Sequence, residues 1–235
     1  MSSIEEESWK EKEKFDVIGL IETWLEKGKG KFVREKLKGY KCVFNEARRE
    51  NKKGRAKGGL MIAIRKEGNL KCKKIEKINK ECIKMEMEIE GTEWLWRLVY
   101  MRGDREHPWT KLKEEAEKKP GRKVFLVGDF NCRIGKYGER KTEEDEKAVR
   151  KSMDEVCNED GKGMIRWMDE TGMHVLNGNI KEDEEGRFTY VGPQGNTIID
   201  YPFAARWDSP YPTFFKGLFF TAKGRIKVFL GLKIL

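Results

Sequence analysis

The hydrophobic positions of the chain occur in short runs between charged segments, and the spacing within each run predicts its secondary structure. Continuous apolar runs, typical of buried strands, occupy residues 15–22, 40–44, 60–64 and 123–130. Residues 82–89 alternate apolar with charged positions, and the apolar segment 94–101 follows after EGTE, which predicts an antiparallel hairpin. Three further short strands are predicted at 173–176, 187–191 and 197–200.

Helices are predicted in four of the remaining segments. In residues 31–39, Phe32, Val33 and Leu37 share one helical face, and Gly39 can end the helix in a left-handed conformation. The other predicted helices lie at 108–120, near 142–156, and at 164–172. Helices and strands mix along the chain without an internal repeat, so the pattern predicts one α/β or α+β domain.

Composition narrows the class of protein. The 235 residues include 50 Lys and Arg against 41 Asp and Glu, a formal net charge of +9, and the hydrophobic fraction of 37% is enough for a core. The charge favours a polyanionic partner. The five cysteines form no CxxC pair, so we expect neither disulfides nor a zinc cage. The sequence shows no apolar run of membrane-spanning length and no export signal, so we expect a nuclear or cytoplasmic protein.

The distribution of residues divides the chain into three segments. Residues 1–14 form a charged leader with little to bury, and residues 15–201 contain the predicted strands and helices. Residues 202–235 hold six of the 12 Phe but only one acid, Asp208. We therefore predict a domain at 15–201 and a divergent, replaced tail at 202–235.

Two carboxylates follow predicted strands. Glu22 and Asp129 each end an apolar run, and Asn131 comes two residues after Asp129. Carboxylate and amide oxygens from neighbouring strand ends form a ligand set that prefers Mg²⁺ or Mn²⁺ over zinc. The alternative interpretation is that Glu22 only ends a strand and that VGDFN is an ordinary turn. The two sites together favour a metal centre.

Six motifs, in order, resemble those of the endonuclease/exonuclease/phosphatase superfamily. They are IETW (21–24), GGLMIAI (58–64), LVYMRGDRE (98–106), VGDFNCRIG (127–135), GMHVLNGN (172–179) and FTYVGPQGNTIIDY (188–201). The likeness is strongest to the endonuclease domain of non-LTR retrotransposons and the related craniofacial development protein-like sequences. This resemblance implies a DNase I-like fold, a four-layer sandwich of two mixed β-sheets flanked by helices.

The resemblance also implies a function and roles for particular residues. The implied function is a Mg²⁺-dependent endonuclease acting on DNA, related to a domain that accompanies a reverse transcriptase. Glu22 would be the metal ligand, Tyr100 a contact to the scissile phosphate, and Asp129 a metal ligand and the group that orients or deprotonates water. Asn131 would hold metal-bound water or phosphate oxygen, and Thr189 would lie beside the nucleic-acid backbone. The alternative is that Tyr100 belongs to the core and Thr189 serves only β propensity.

Two pieces of the superfamily pattern are missing. The superfamily has a strand bearing an Asn ahead of the Glu, whereas the first Asn here is Asn45. It also ends with a Ser-Asp-His motif, whose His pairs with the acid that Asp200 matches, but the two histidines are His107 and His174. Loss of a group that stabilises the phosphate costs ~10²-fold in rate or more, so we expect impaired activity.

A basic segment offers a candidate nucleic-acid contact. It comprises Arg48, Arg49, Lys52, Lys53, Arg55 and Lys57, here called the basic loop. A track for phosphates and a solvated run of charge are both compatible with this pattern. Two other functions stay open: a catalytically dead nucleic-acid-binding remnant, and a sugar or lipid phosphatase of the same fold. The sequence leaves the oligomeric state unknown.

Overall fold

The computed structural model describes residues 15–49, 53–68, 70–101, 122–138, 150–180 and 183–205, and the backbone of 228–232. Twelve strands and two helices lie within these ranges. The strands are β1 (Val17–Ile21), β2 (Tyr40–Asn45), β3 (Leu60–Arg65), β4 (Lys71–Asn79), β5 (Cys82–Ile89), β6 (Thr92–Tyr100), β7 (Lys123–Asp129), β8 (Met173–Val175), β9 (Tyr190–Gly192), β10 (Gly195–Thr197), β11 (Asp200–Ala205) and β12 (Val228–Leu232). The helices are α1 (Lys31–Lys36) and α2 (Glu159–Thr171).

Two sheets form the body of the domain. The first has the order β12-β1-β3-β2 with antiparallel pairing throughout. The second has the order β4-β5-β6-β7-β11-β8 and is mixed, because β6 and β7 run parallel while its other pairs are antiparallel. Strands β9 and β10 form a separate hairpin.

The packing of these elements gives four layers. Alternate residues of β1 and β3, such as Val17 and Ile62, pack on Met85, Trp96 and Phe125 of the second sheet. The opposite face of the first sheet packs against α1, and the opposite face of the second packs against α2. Burial of apolar area on three interfaces supplies most of the stabilisation. The predicted sandwich of two sheets flanked by helices is confirmed.

Helix α2 begins five residues before the predicted start at Met164. The side chain of Asn158 caps it by accepting a hydrogen bond from the N–H of Gly161 at 2.8 Å, and Glu159 and Asp160 in the first turn favour the positive end of the helix dipole. Gly172 ends the helix in the left-handed conformation (φ 63°), as predicted. In the part of the chain that the structure describes, no helix is long and apolar enough to cross a membrane.

The prediction of a helix near 142–156 is wrong for residues 150–156, which are not helical. There the Asp154 carboxylate accepts hydrogen bonds from Val156 N–H and from the Arg133 side chain, and these local bonds compete with a helix. The predicted helix at 108–120 and the first part of the 142–156 helix lie outside the described residues.

The predicted domain boundary at residue 201 falls inside β11. Residues Pro202 to Ala205 pair with Val127 to Val124 of β7 and are buried. Later in the same C-terminal segment, β12 pairs antiparallel with β1 along its whole length, from Val17 with Leu232 to Ile21 with Val228. Strand β1 is therefore an interior strand, flanked by β12 and β3.

Candidate active site

Three of the candidate residues lie in one row across the second sheet. Tyr100 of β6 is the register partner of Asp129 of β7, and Asp129 is the partner of Asp200 of β11. Register partners point to the same face of a sheet, with Cβ atoms about 5 Å apart. The structure thus brings together residues that are separated by up to a hundred positions in the sequence. Asp129 and Asp200 are buried, and Tyr100 is half-buried.

Glu22 reaches this row from the first sheet. It directly follows β1, and its carboxylate accepts a hydrogen bond from the hydroxyl of Tyr100. Its backbone has a positive φ of 52°, which is uncommon for a residue other than glycine. A side chain that leaves its strand in this unusual conformation is typical of a functional position. The contact places Glu22 in the same cluster as Tyr100, Asp129 and Asp200.

The two glycines of the GGLMIAI motif hold the segment that carries Glu22. The N–H of Thr23 donates to the Gly59 carbonyl at 3.1 Å, and the N–H of Trp24 donates to the Gly58 carbonyl at 2.9 Å. A Cβ on Gly59 would lie 2.5 Å from Thr23 Oγ1, and Gly59 also has a φ of +93°. A side chain at Gly59 would therefore push the segment after β1 out of place.

The turn after β7 is built around Asp129. The N–H of Asn131 donates to Asp129 Oδ1 at 3.0 Å, and the side-chain amide nitrogen of Asn131 donates to the Met101 carbonyl. Asn131 also has a positive φ of 49°. Because its nitrogen donates to Met101, the amide oxygen of Asn131 is the side-chain atom that can accept a hydrogen bond from a ligand. The bond to Asp129 is an Asx turn, as in the ordinary-turn interpretation, and the bond to Met101 ties this turn to the residue after β6.

Thr189 anchors the backbone next to Asp200. Its hydroxyl oxygen accepts hydrogen bonds from the N–H groups of Ile199 at 3.1 Å and Asp200 at 3.2 Å. Its own N–H donates to Thr197, and the side chain is 2% exposed. The structure gives Thr189 a positioning contact, and its contact with nucleic acid stays a prediction.

An ion pair that the sequence pattern does not predict joins the segment after Asp129 to the segment before Asp200. Arg133, in the segment after β7, donates to both oxygens of Asp154 at 2.8 and 2.5 Å. The Asp154 carboxylate also accepts the N–H of Ile198 at 2.9 Å, just before β11. Burial raises the pKa of Asp154, but these hydrogen bonds and the charge of Arg133 outweigh burial and hold the pKa below its ordinary value. Asp154 thereby holds the segment after β7, which follows Asp129, against the residues that precede Asp200.

A buried arginine makes a second such connection. Arg150 donates to the carbonyls of Asn177 and Gly135, both at 2.6 Å, and to that of Tyr137 at 3.1 Å. The Asn177 side chain in turn donates to the Asp200 carbonyl at 3.5 Å. The only sequence signal for Asn177 was its place in the GMHVLNGN motif. Arg150 carried no signal, because its partners are backbone carbonyls from distant segments.

Cys132 lies between Asn131 and the Arg133 ion pair but is not a nucleophile. Its side chain is fully buried, and burial together with nearby acids raises the pKa of its thiol. The thiol is therefore protonated at neutral pH. Of the histidines, His174 is exposed on β8 at the edge of the second sheet, and His107 lies outside the described residues.

The basic loop lies beside the segment that follows Glu22. Arg48 and Lys57 are joined by paired backbone hydrogen bonds at 3.1 and 2.8 Å. Arg49 makes a two-pronged ion pair with Glu26 at 2.9 and 2.8 Å, and the guanidinium of Arg55 lies 3.6 Å from the centre of the Trp24 ring. Lys53 is exposed, whereas Lys52 lies outside the described residues. Arg48, Arg49, Arg55 and Lys57 therefore have defined contacts next to the segment that follows Glu22.

The residues of the cluster carry oxygen atoms, the donor type that binds hard divalent cations. Asp129 and Asp200 are in register on neighbouring strands, where like charges repel each other, and a bound cation would relieve that repulsion. Glu22 and the amide of Asn131 supply further oxygen atoms of the kind that Mg²⁺ and Mn²⁺ prefer. Within the described ranges, no group of three or more His, Cys, Asp and Glu side chains has the spacing of a metal cage.

The sequence matches no family profile and no curated protein. Its structure resembles an endonuclease/exonuclease/phosphatase family protein from Leptotrichia buccalis, with 12% identity and a TM-score of 0.54 over 88% of this chain and 84% of that one. It also resembles the AP endonuclease LMAP from Leishmania major, with 12% identity and a TM-score of 0.53 over 85% and 72% of the two chains.

A third similar structure is the endonuclease domain of TRAS1, a telomere-specific non-LTR retrotransposon. It shares 16% identity with a TM-score of 0.45 over 72% of this chain and 66% of that domain. The two structures with higher scores, together with the four layers, show that this chain has the fold of the endonuclease/exonuclease/phosphatase proteins.

Proposed function

We propose that the chain is a metal-dependent phosphodiesterase, an endonuclease domain of the non-LTR retrotransposon kind that acts on DNA. The observation that carries this proposal is the cluster in which Tyr100, Asp129 and Asp200 form one row and Tyr100 bonds to Glu22. Four polar residues from four strand ends meet at one place, which the packing of the two sheets alone does not require.

The residues of the cluster suit water attack on a phosphodiester. Asp129, whose Oδ1 accepts a hydrogen bond from the Asn131 N–H, would orient the attacking water and accept its proton. Tyr100 holds the Glu22 carboxylate and, being half-buried, can also contact the scissile phosphate. A Mg²⁺ or Mn²⁺ ion held by Glu22 and Asp129 would neutralise charge on the phosphoryl oxygens.

The proposal that DNA is the substrate rests on the distribution of charge. The chain has a net charge of +9, and the exposed cations of the basic loop lie next to the segment that carries Glu22. A polyanion gains more from such a surface than a small phosphoester does. This charge distribution favours a nucleic acid over a sugar or lipid phosphate.

Activity is proposed to be low. Asp200 matches the acid that pairs with a histidine in the superfamily, and this chain has no histidine after His174, which is exposed on β8. Residues 201–235 contain no Ser-Asp-His motif, and a site without the imidazole of that motif would stabilise the transition state less. The same observation favours a second candidate, a remnant that binds nucleic acid without cleaving it.

A plasmid-nicking assay distinguishes the candidates. Slow nicking that requires Mg²⁺ or Mn²⁺ and disappears in Asp129→Ala is the expected result. Binding of DNA without any nicking would support the second candidate, a remnant that binds nucleic acid without cleaving it. A protein that neither binds nor cleaves DNA contradicts both, and a screen of phosphate monoesters then tests the phosphatase alternative.

A further inference from the structure

Arg55 and Trp24 form a stacked pair beside the candidate active site. The guanidinium carbon of Arg55 lies 3.6 Å from the centre of the Trp24 ring, which is the distance of direct contact. Trp24 follows Glu22 by two residues and is half-buried, whereas Arg55 is exposed. The pair therefore presents a flat cationic group to solvent close to the carboxylate that is proposed to hold the metal.

The pair is held in place before any ligand arrives. Trp24 has a positive φ of 51°, an uncommon conformation for a bulky residue, and its N–H is bound to Gly58 at 2.9 Å. The loop that carries Arg55 is closed by the backbone bonds between Arg48 and Lys57. Strain of this kind at a half-buried aromatic residue points to a functional role.

The chemistry of the pair suits a base better than a phosphate. One face of the Arg55 guanidinium is covered by the indole, and its exposed side can cover a second flat group. Nucleic-acid bases stack on aromatic rings and on guanidinium planes, with little dependence on which base is present. A base that stacks on protein must first be unstacked from its neighbours, so the ligand is an unpaired nucleotide.

We propose that the Trp24–Arg55 pair binds an unpaired nucleotide base that flanks the phosphate at the active site. This inference rests on the proposed function and goes beyond it. Arg55 then contacts a base and not a phosphate, and the preferred substrate is DNA with an unpaired base near the cleavage point. Arg49 has a different role, since its ion pair with Glu26 anchors the loop. Lys53 is an exposed cation in the same loop that is available to phosphates.

The test measures binding by fluorescence anisotropy with EDTA present, so that no cleavage occurs. The probe is a labelled single-stranded oligonucleotide, alongside a set in which one abasic site is moved along the strand. Arg55→Lys keeps the charge and removes the flat group. It should bind the intact strand roughly tenfold more weakly, with no change in the slope of log affinity against log salt.

The oligonucleotides with one abasic site show which nucleotide of the strand contacts the Trp24–Arg55 pair. One abasic position should weaken binding of the unmodified protein about as much as Arg55→Lys does, and should not weaken that variant further. Lys53→Gln is the matched control: it should lower the salt slope by about 0.7 and leave the abasic profile unchanged. Trp24→Phe, which keeps an aromatic face, should lose less affinity than Arg55→Lys.

The alternative outcomes separate this inference from the proposed function. If the unmodified protein binds DNA but Arg55→Lys binds equally well, or if Arg55→Gln only lowers the salt slope, Arg55 contacts phosphate and the base site is wrong. If the unmodified protein binds no DNA in any salt, the proposed function is wrong and the base site is wrong with it.

Discussion

The hydroxyl of Tyr100 donates a hydrogen bond to the carboxylate of Glu22, and this contact joins the two sheets at the candidate active site. Tyr100 ends β6 in the second sheet, and Glu22 follows β1 in the first. The distance between Glu22 and Asp129 therefore depends on how the two sheets pack. A site divided between two layers is sensitive to mutations in the core between them.

Glu22→Gln should weaken the binding of Mg²⁺ or Mn²⁺, because the carboxylate is proposed to be a direct ligand. The loss should exceed the roughly tenfold effect that removal of an outer partner produces. Isothermal titration calorimetry measures it, with Glu46→Gln as control, since Glu46 is an exposed carboxylate paired with Lys77. Equal metal affinity of Glu22→Gln and the unmodified protein would show that Glu22 is not a ligand.

Tyr100→Phe should keep the fold and make the Glu22 side chain more mobile. Loss of one hydrogen bond to a half-buried carboxylate should lower the free energy of unfolding by about 1 kcal/mol. Metal affinity should fall on the order of tenfold, because an oriented carboxylate binds better than a mobile one. Urea unfolding and calorimetry test the two effects separately. If metal affinity stays the same while stability falls, Tyr100 has only a structural role.

Much of the fold could be predicted because most strands are short apolar runs with clear ends. The charged strand β4 was missed for a physical reason: it lies at the sheet edge, most of its residues are exposed, and bulges between Cys72 and Lys74 and between Lys77 and Asn79 interrupt its alternation. The first turns of α2 were missed because Gly161 and Gly163 are poor helix formers. Asn158, with two acids after it, was the available signal.

Gly161 and Gly163 of α2 can be replaced by alanine as a matched pair of substitutions. A Cβ on Gly161 would lie 1.9 Å from the carbonyl oxygen of Arg133, so Gly161→Ala must displace α2 or the segment after β7. We expect a loss of about 1–3 kcal/mol in stability. In Gly163→Ala the nearest atom is 3.9 Å away, so the better helix former should raise stability by up to about 1 kcal/mol. Thermal unfolding of both variants should show shifts of opposite sign.

Asp154→Asn should lower the free energy of unfolding in a pH-dependent way. At neutral pH the loss should be about 3 kcal/mol, because Arg133 loses its charged partner and Asp154 is 3% exposed. The pKa of Asp154 is lower in the folded protein than its ordinary value of 3.8, so its stabilisation is complete above that value and disappears as the pH falls through the folded pKa.

Urea unfolding at neutral pH and near pH 3 measures this difference. The gap between Asp154→Asn and the unmodified protein should narrow at the lower pH. The neighbouring Glu155→Gln, an exposed residue paired with Lys136, should change stability little at either pH. A gap that is constant with pH would mean that Asp154 acts through packing and not through its charge.

The candidate site could be predicted only in part. Glu22, Tyr100, Asp129 and Asp200 were identified from motifs at strand ends, and the structure brings these four together. Asp154 could not be found in this way, because its function depends on Arg133 and Ile198, which lie about 20 and 40 positions away. Sequence spacing predicts which residues end strands, whereas the contacts that hold those ends depend on how distant loops pack.

Strand β12 has a consequence for how the protein folds during synthesis. Its residues pair with β1, so two strands more than 200 positions apart in the sequence are neighbours in the sheet. Contacts between such distant segments carry a large loop-closure cost and form slowly. While the chain is on the ribosome, β1 has an open edge until β12 emerges, and that edge can pair with other chains. The strand that leads to Glu22 thus gains its second neighbour only when β12 has been made, and products truncated before β12 should aggregate even though they contain every proposed catalytic residue.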